Sequence, residues 1–300
     1  MDTVNISRIS SRYFLRYLEA RLMGFIPHKV KVHLLYMLRL NRLPNFSKPV
    51  LYNEWIQWLK LNWRDPLVQV CTDKLAVRNY IANIAGEKYL VPLIGVWNSF
   101  EEVPWEKLPD SFVIKLTHDS GSVEIVEDKS RVSVKHLHNK FYWLSKIDHS
   151  WWSGEWNYKG LVSRIIVERY LGKVKDYKVF CFNGKPAYIQ VDIDRFGLHR
   201  RLFYSTRWEY YSTLEVEYPS DPNSIEPPPV CLDEMLHLSG KIAKPFPHVR
   251  VDWYIKDDTL YFGEMTFFHG SGLEKFSSTS WEALWGSLLF QAIRTKDFQW

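Results

Sequence analysis

Two short stretches decide the reading: Val249-Arg250-Val251-Asp252-Trp253, and then Tyr261-Phe262-Gly263-Glu264-Met265-Thr266. Each alternates apolar and polar residues, the two-residue period of a β-strand, and Lys256-Asp257-Asp258 between them marks an antiparallel turn. Alternation places Arg250, Asp252, Glu264 and Thr266 on strand faces where two carboxylates can bind Mg²⁺ bridging nucleotide phosphates, because hard cations take oxygen ligands. Carboxylates flanked by apolar residues are costly unless paired or metal-bound. Two satisfied ion pairs are therefore the competing explanation.

Four further clusters extend the pattern. Asp176-Tyr177-Lys178 opens a strand running into Asn183-Gly184, the strongest hairpin signal in the chain. Its alternation sets Asp176 beside Lys178, an acid for ribose hydroxyls and a base for phosphates, although a surface ion pair has the same spacing. Upstream, Val113-Ile114-Lys115-Leu116 leads into a small-residue loop containing Ser120, Gly121 and Ser122, then a return strand. Such a loop can cradle phosphate on its backbone N–H groups with Lys115 reaching the oxygens, or it can be an ordinary hairpin turn. Ile166-Val167-Glu168-Arg169-Tyr170-Leu171 reads as a buried strand ending in a carboxylate. Glu168 could receive an adenine amino group and the Arg169 and Leu171 backbone the adenine edge; a strand with charged ends is the plainer alternative. Finally, His269-Gly270-Ser271-Gly272 permits a turn against an anion such as an acyl phosphate. His269 reads either as a proton carrier or as polar loop surface.

Around these clusters the chain reads as α+β. Apolar spacing from Ile9 to Leu40 gives two helices divided by Pro27, Asn53–Asn62 gives a third, and Asp73–Ile84 starts as a further one with an acidic cap. Strands are expected at 90–97, 112–116, 163–170, 178–182, 187–192, 249–255 and 260–267, with a helix at 232–243. The three cysteines form no close pair and no run of about 18 uncharged apolar residues occurs, so a cytoplasmic protein, at most placed at the inner face of a membrane, is expected. Residues 1–60 hold ten Lys or Arg against Asp2, Glu19 and Glu54. That surplus suits docking on an anionic membrane or an assembly complex, or simply a solvated helix face; nucleic acid is not expected. The 14 tryptophans include Trp143, Trp151, Trp152 and Trp156, which with Tyr158 and interleaved cations form a sugar platform or lid, or a lobe core.

In their order, Lys115, the Gly/Ser loop, Glu168, Asp176-x-Lys178, Arg250-x-Asp252 and Glu264 resemble the ATP-grasp ligases. Asp73-Lys74 looks like the Asp-Lys that opens the small lobe of that fold. More narrowly, Asn53-Glu54-Trp55-Ile56-Gln57-Trp58-Leu59-Lys60-Leu61, Asp176 through Pro186 and Phe262-Gly263-Glu264-Met265-Thr266-Phe267 look like the TupA-like branch, over about residues 48–276. The resemblance implies two α+β lobes closing on ATP behind a helical N-terminal segment, divided as 1–65, 66–165 and 166–300. It also implies ATP and Mg²⁺ as cofactors, with Lys74, Lys115 and Lys178 on phosphates, Asp252 and Glu264 as metal ligands, and Arg250 beside the transferred group. The reaction implied is ligation of an amino acid or other amine to a uronic-acid carboxylate of a bacterial surface polysaccharide. Thr266 stands where most ATP-grasp enzymes carry asparagine, and Phe268-His269 replaces the branch's commoner Thr-Pro. A glycosyltransferase, or a nucleotide-gated scaffold of the assembly complex, would need similar acidic and basic groups.

Overall fold

The computed structural model describes residues 3–193 and 197–296, with the side chains of residues 3–11, Arg8 among them, outside the described part. In chain order the elements are α1 (Thr3–Gly24), α2 (His28–Leu40), α3 (Tyr52–Asn62), α4 (Pro66–Thr72), α5 (Val77–Ile84), β1 (Leu93–Trp97), β2 (Phe112–Leu116), β3 (Glu124–Val126), α6 (Val134–Leu144), α7 (Ser150–Ser153), β4 (Ile165–Arg169), β5 (Lys175–Phe182), β6 (Lys185–Ile193), β7 (Arg200–Ser205), α8 (Leu232–Ala243), β8 (His248–Lys256), β9 (Thr259–Thr266) and α9 (Thr279–Arg294). They gather into two units, one of residues 1–31, 65–78 and 91–172, the other of 32–64, 79–90 and 173–300. The boundary falls within the N-terminal helices: α1 and the first turn of α2 group with the first unit and the rest of α2, from Val32, with the second.

The first unit carries an antiparallel sheet in the order β1-β4-β2-β3. Phe112, Ile114 and Leu116 alternate inward from β2 and are fully buried with Val126, Val167 and Phe141 of α6. Across the sheet, Val113 lies opposite Glu168 and Lys115 opposite Ile166, so the polar side chains share the other face. The aromatic segment belongs largely to this core. Trp143 meets Phe14 and Tyr17 of α1 at 4.8 and 5.6 Å, and Lys31 Nζ donates to the Trp151 carbonyl at 2.7 Å.

The second unit carries an antiparallel sheet in the order β7-β6-β5-β8-β9. Its β5–β6 hairpin turns on Asn183 and Gly184, both at positive φ (49° and 73°), the two left-handed positions that Asn-Gly supplies at low cost. One sheet face, with Val179, Cys181, Val251 and Trp253, rests on α8, where Trp253 Nε1 donates to Ser239 Oγ at 2.8 Å. The opposite face changes character along its strands. At one end Phe180 and Tyr188 lie 4.8 and 4.6 Å from Trp285 of α9; at the other the side chains are charged.

His248 ties the aromatic end to α3. Its Nδ1–H donates to the Cys181 carbonyl at 3.0 Å while Nε2 accepts from the Tyr52 hydroxyl at 2.8 Å. Helices α3 and α9 approach closely through Gly286, where an added Cβ would lie 2.1 Å from the Val50 carbonyl oxygen.

Most expected elements form within a few residues of their predicted bounds. The expected start at Asp73 is displaced: Asp73 Oδ1 accepts from the N–H groups of Leu75 and Ala76, both at 2.8 Å, and the helix begins at Val77.

Two stability measurements test this packing. Gly286→Ala drives a methyl into backbone rather than into a movable side chain, so it should cost about 2 kcal/mol in urea unfolding; an unchanged midpoint contradicts the close approach. Burial, aided by the Arg250 charge, lowers His248 to about 4. Below the ordinary value of about 6.5 the unfolded chain takes up a proton that the folded one refuses, so stability present above that pH is lost on acidification. The loss attributable to His248 should approach about 1.4 kcal/mol per pH unit between those limits. His248→Phe should flatten the slope of stability against pH there, and an unaltered slope counts against a buried neutral imidazole.

Candidate functional site

The charged end of the second sheet is built by register. Gln190 of β6, Lys178 of β5, Asp252 of β8 and Glu264 of β9 lie directly opposite one another in one row. In the next, Arg250 lies opposite Thr266. Opposed residues share a face, so these side chains converge. Arg250 grips Asp252 in a two-bond fork, Nε to Oδ1 at 2.7 Å and NH2 to Oδ2 at 2.6 Å, and also reaches Thr266 Oγ1 at 3.1 Å. Lys178 Nζ donates to Asp176 and stands 3.4 Å from Asp192 and 3.7 Å from Asp252. Arg201 continues the alternation, 3.2 Å from Asp192 and 3.0 Å from Glu274.

Most of this cluster is out of water, and burial decides its electrostatics. Burial pushes the Asp252 carboxyl up to about 6 against the pull of Arg250 and Lys178. Burial also works against the Arg250 charge, but Asp252 outweighs it and keeps the guanidinium protonated. Asp192 is raised by burial and lowered more strongly by Lys178 and Arg201, ending below the usual carboxylate range. At neutral pH the row is a set of alternating fixed charges. Glu264 differs, because its side chain is 44% exposed and 3.8 Å from Arg250.

Asp252 and Glu264 suit a hard divalent cation: both offer carboxylate oxygens on one face, and one of them is open to approach. Among the described residues no three His, Cys, Asp or Glu side chains converge on a cation site. A hard cation held by two carboxylates alone would have to complete a six-oxygen shell from other sources. Gln190 Oε1, buried in the same row, has no hydrogen-bond partner.

The turn at His269–Gly272 is strongly constrained. Gly270, Ser271 and Gly272 all adopt positive φ (52°, 57° and 63°), and α3 holds them there. Gln57 Nε2 donates to the carbonyls of Ser271 and Gly272 at 2.8 and 2.7 Å. Lys60 Nζ donates to the Ser271 carbonyl at 2.7 Å and its Oγ at 2.6 Å, while Asn53 Nδ2 reaches the Glu274 carbonyl at 2.8 Å. Positions 53, 57 and 60 fall on one helical face, which accounts for three of the four polar residues in that otherwise aromatic motif; the fourth, Glu54, accepts from the N–H groups of Asn45, Val50 and Leu51. His269 is buried, not loop surface. Burial, then the charges of Arg250 and Arg201, keeps its imidazole neutral, with Nε2 3.1 Å from Glu274.

In the first unit, Lys115 and Glu168 meet at 2.6 Å, and Arg78 takes the second Glu168 oxygen at 3.0 Å. The carboxylate expected to receive adenine is therefore engaged by two cations. Lys74 donates to the Asp119 carbonyl, and Ser122 Oγ donates to Asp119 Oδ1 at 2.6 Å. Ser122 also accepts from the Leu116 N–H at 3.0 Å, so its hydroxyl shapes the loop whose tip is Ser120 and Gly121, the latter at φ 102°. Arg169 is exposed, and its N–H donates to the Pro92 carbonyl at 2.9 Å; Leu171 is half-buried.

Sequence reasoning missed Arg78, Asp192, Arg201 and Glu274. Alternation marks Asp192 and Arg201 as same-face residues of their strands, but β7 was not foreseen, and Arg78 gives no local signal.

A family model described as TupA-like ATPgrasp matches residues 54–290. No curated protein matches the chain. Among solved structures, the D-alanine–D-alanine ligase of Bacillus anthracis is 18% identical over 76% of this chain and 67% of its own, with a TM-score of 0.46. The ATP-grasp ligase PsnB, in complex with a precursor variant, Mg and ADP, is 10% identical over 81% of this chain and 66% of its own, also at 0.46. An L-amino acid ligase of Bacillus licheniformis is 14% identical over 79% and 48%, at 0.41. The chain spans about two thirds of the first two structures' lengths and about half of the third. With its motifs from Glu54 to Phe267 inside the matched range, this α+β chain belongs to the TupA-like ATPgrasp family.

Proposed function

We propose that the protein is an ATP-dependent carboxylate–amine ligase that joins an amino acid or other amine to a uronic-acid carboxylate of a bacterial surface polysaccharide or its precursor. The observation that carries this reading is the row Lys178–Asp252–Glu264 with Arg250 beside it, fixed positive charge next to paired carboxylates. In this reading the substrate carboxylate attacks the γ-phosphorus of ATP, ADP leaves, and an acyl phosphate forms. The amine then attacks the acyl carbon and phosphate departs, giving an amide.

Mg²⁺, held by Asp252 and Glu264, would neutralise charge on the phosphates. Lys178 and Arg250 offset charge on the transferred group, and Arg250 steadies the tetrahedral oxyanion. Lys74, Lys115 and the loop at Ser120, Gly121 and Ser122 hold phosphate oxygens, and Asp176 takes the ribose hydroxyls. Glu168 sets Lys115 in place, while the backbone at Arg169 and Leu171 reads the adenine edge. The turn Gly270-Ser271-Gly272 seats the acyl phosphate.

The basic N-terminal helix has a second role in this proposal. Leu15, Leu22 and Phe25 are 53%, 68% and 77% exposed, and Arg12, Arg16 and Arg21 are exposed with them. Apolar side chains among cations suit an anionic membrane surface.

Incubation with MgATP, uronic acids and amino acids should give ADP release that requires both partners together. ADP release that needs no carboxylate, or sugar transfer from a nucleotide sugar, would reject ligation. Asp252→Asn should lower the ligation rate about 10²–10³-fold; full retention removes Asp252 from the site. Vesicles containing phosphatidylglycerol should sediment the protein, and Leu22→Asp/Phe25→Asp should abolish this without lowering activity in solution. Equal sedimentation of that variant would reject membrane docking by this helix.

A further inference from the structure

Beside the Gly270 turn, within the second unit, lies a cavity of about 530 Å³, a volume in the range of small-molecule sites. Leu35 of α2 and Leu273 give it apolar walls; Arg39, Glu217 and Glu274 bring charge to it. Arg39 pairs with Glu217, and the Arg39 side chain is half exposed, so it can swing from Glu217 toward a ligand carboxylate at the cavity mouth. Glu217 is fixed independently of Arg39. Its Oε2 accepts from the Lys275 N–H at 3.2 Å and its own N–H donates to the Lys275 carbonyl at 2.8 Å. It also holds a left-handed backbone, φ 65°, a strained conformation for a non-glycine residue that its surroundings must maintain.

The charge pattern selects among ligands. Glu274, at the Gly270 side of the cavity, is backed by Arg201, so two arginines stand against two glutamates and a simple anion gains no net attraction. A ligand with one charge of each sign meets a partner for both. Glu274 also begins the ion-pair chain that runs through Arg201, Asp192 and Lys178 to Asp252, which links the cavity wall electrostatically to the charged row.

We propose that this cavity is the site for the amine substrate and that it takes a free zwitterionic amino acid with an apolar side chain, its carboxylate on Arg39, its ammonium toward Glu217 and Glu274, and its side chain against Leu35 and Leu273. The proposal rests on the ligase reading for the word substrate, but the binding it describes does not depend on turnover. Gly270 belongs to the same logic: an added Cβ would lie 2.3 Å from the Glu274 side chain, so glycine keeps that carboxylate in place.

Calorimetric titration of the full chain separates the two ideas. L-Leucine should bind, while 3-methylbutylamine, which lacks the carboxylate, and 4-methylpentanoate, which lacks the ammonium, should each bind at least tenfold more weakly. Arg39→Gln should weaken L-leucine at least tenfold and leave MgADP affinity unchanged, the latter showing that the variant is folded. Leu273→Trp, which fills the cavity, should do the same. Galacturonate binding here in preference to leucine, or leucine affinity indifferent to Arg39→Gln and Leu273→Trp, would overturn the proposal. Arg39-dependent leucine binding with no amino-acid-dependent ADP release from any uronate would uphold the cavity and reject the ligase reading. The reverse, ligation whose amine KM ignores both substitutions, would uphold the ligase and reject the cavity.

Discussion

The fork between Arg250 and Asp252 is the interaction on which the second unit's charged face depends. Removing two ions from water costs several kcal/mol each, and their attraction offsets that only when the geometry is good and the remaining lone pairs are bonded. Here the geometry comes from the sheet. Arg250 and Asp252 are two residues apart on β8, so the pleat aligns them, and Thr266 and Lys178 occupy opposed positions on the flanking strands. Deleting either ion would leave the other buried with only longer ionic contacts, Asp252 with Lys178 at 3.7 Å or Arg250 with Glu264 at 3.8 Å, at a large part of the penalty of about 3–5 kcal/mol for breaking a buried pair. The face therefore cannot be altered one residue at a time, and its charges stay where the strands put them.

Fixed charge of this kind requires a rigid support, and the aromatic end of the same sheet face supplies it. Tyr52, Phe180 and Tyr188 lie 5.3, 4.8 and 4.6 Å from Trp285, and His248 bonds at both ring nitrogens. Helix α3 then serves two purposes with two faces. Its aromatic residues pack against α9, with Trp55 and Phe290 at 5.4 Å, while Asn53, Gln57 and Lys60 hold the strained turn at 269–272. Glu282, buried on α9, is gripped by Arg42 at 2.8 and 2.5 Å and by Asn53 at 2.8 Å, which locks this layer together.

Much of this was legible in the sequence because its physics is local. Strand alternation located Lys178, Arg250, Asp252 and Glu264 on strand faces, Asn183-Gly184 marked a turn that forms, and helix 232–243 was found at its true bounds. The rest depends on distance along the chain. That Glu168 is held by Lys115 and Arg78, 90 residues away in the latter case, cannot be seen in a strand ending in a carboxylate. Lys60 within an aromatic helix reads as a solvated charge until Ser271 is brought to it. His269 reads as loop polarity until Phe180 closes over it at 4.7 Å. The cavity beside Gly270 joins α2 to residues 217 and 274, a convergence with no sequence signal at all.

The central claim is that the carboxylates of Asp252 and Glu264 together hold the cation that accompanies the nucleotide. The most direct measurement is a crystal structure with a non-hydrolysable ATP analogue and Mn²⁺, read by anomalous scattering. The account predicts a single strong manganese peak about 2.2 Å from oxygens of both Asp252 and Glu264, with phosphate oxygens completing its shell. A peak bound elsewhere, with Asp252 still wholly in its fork to Arg250 and Glu264 in solvent, would contradict it.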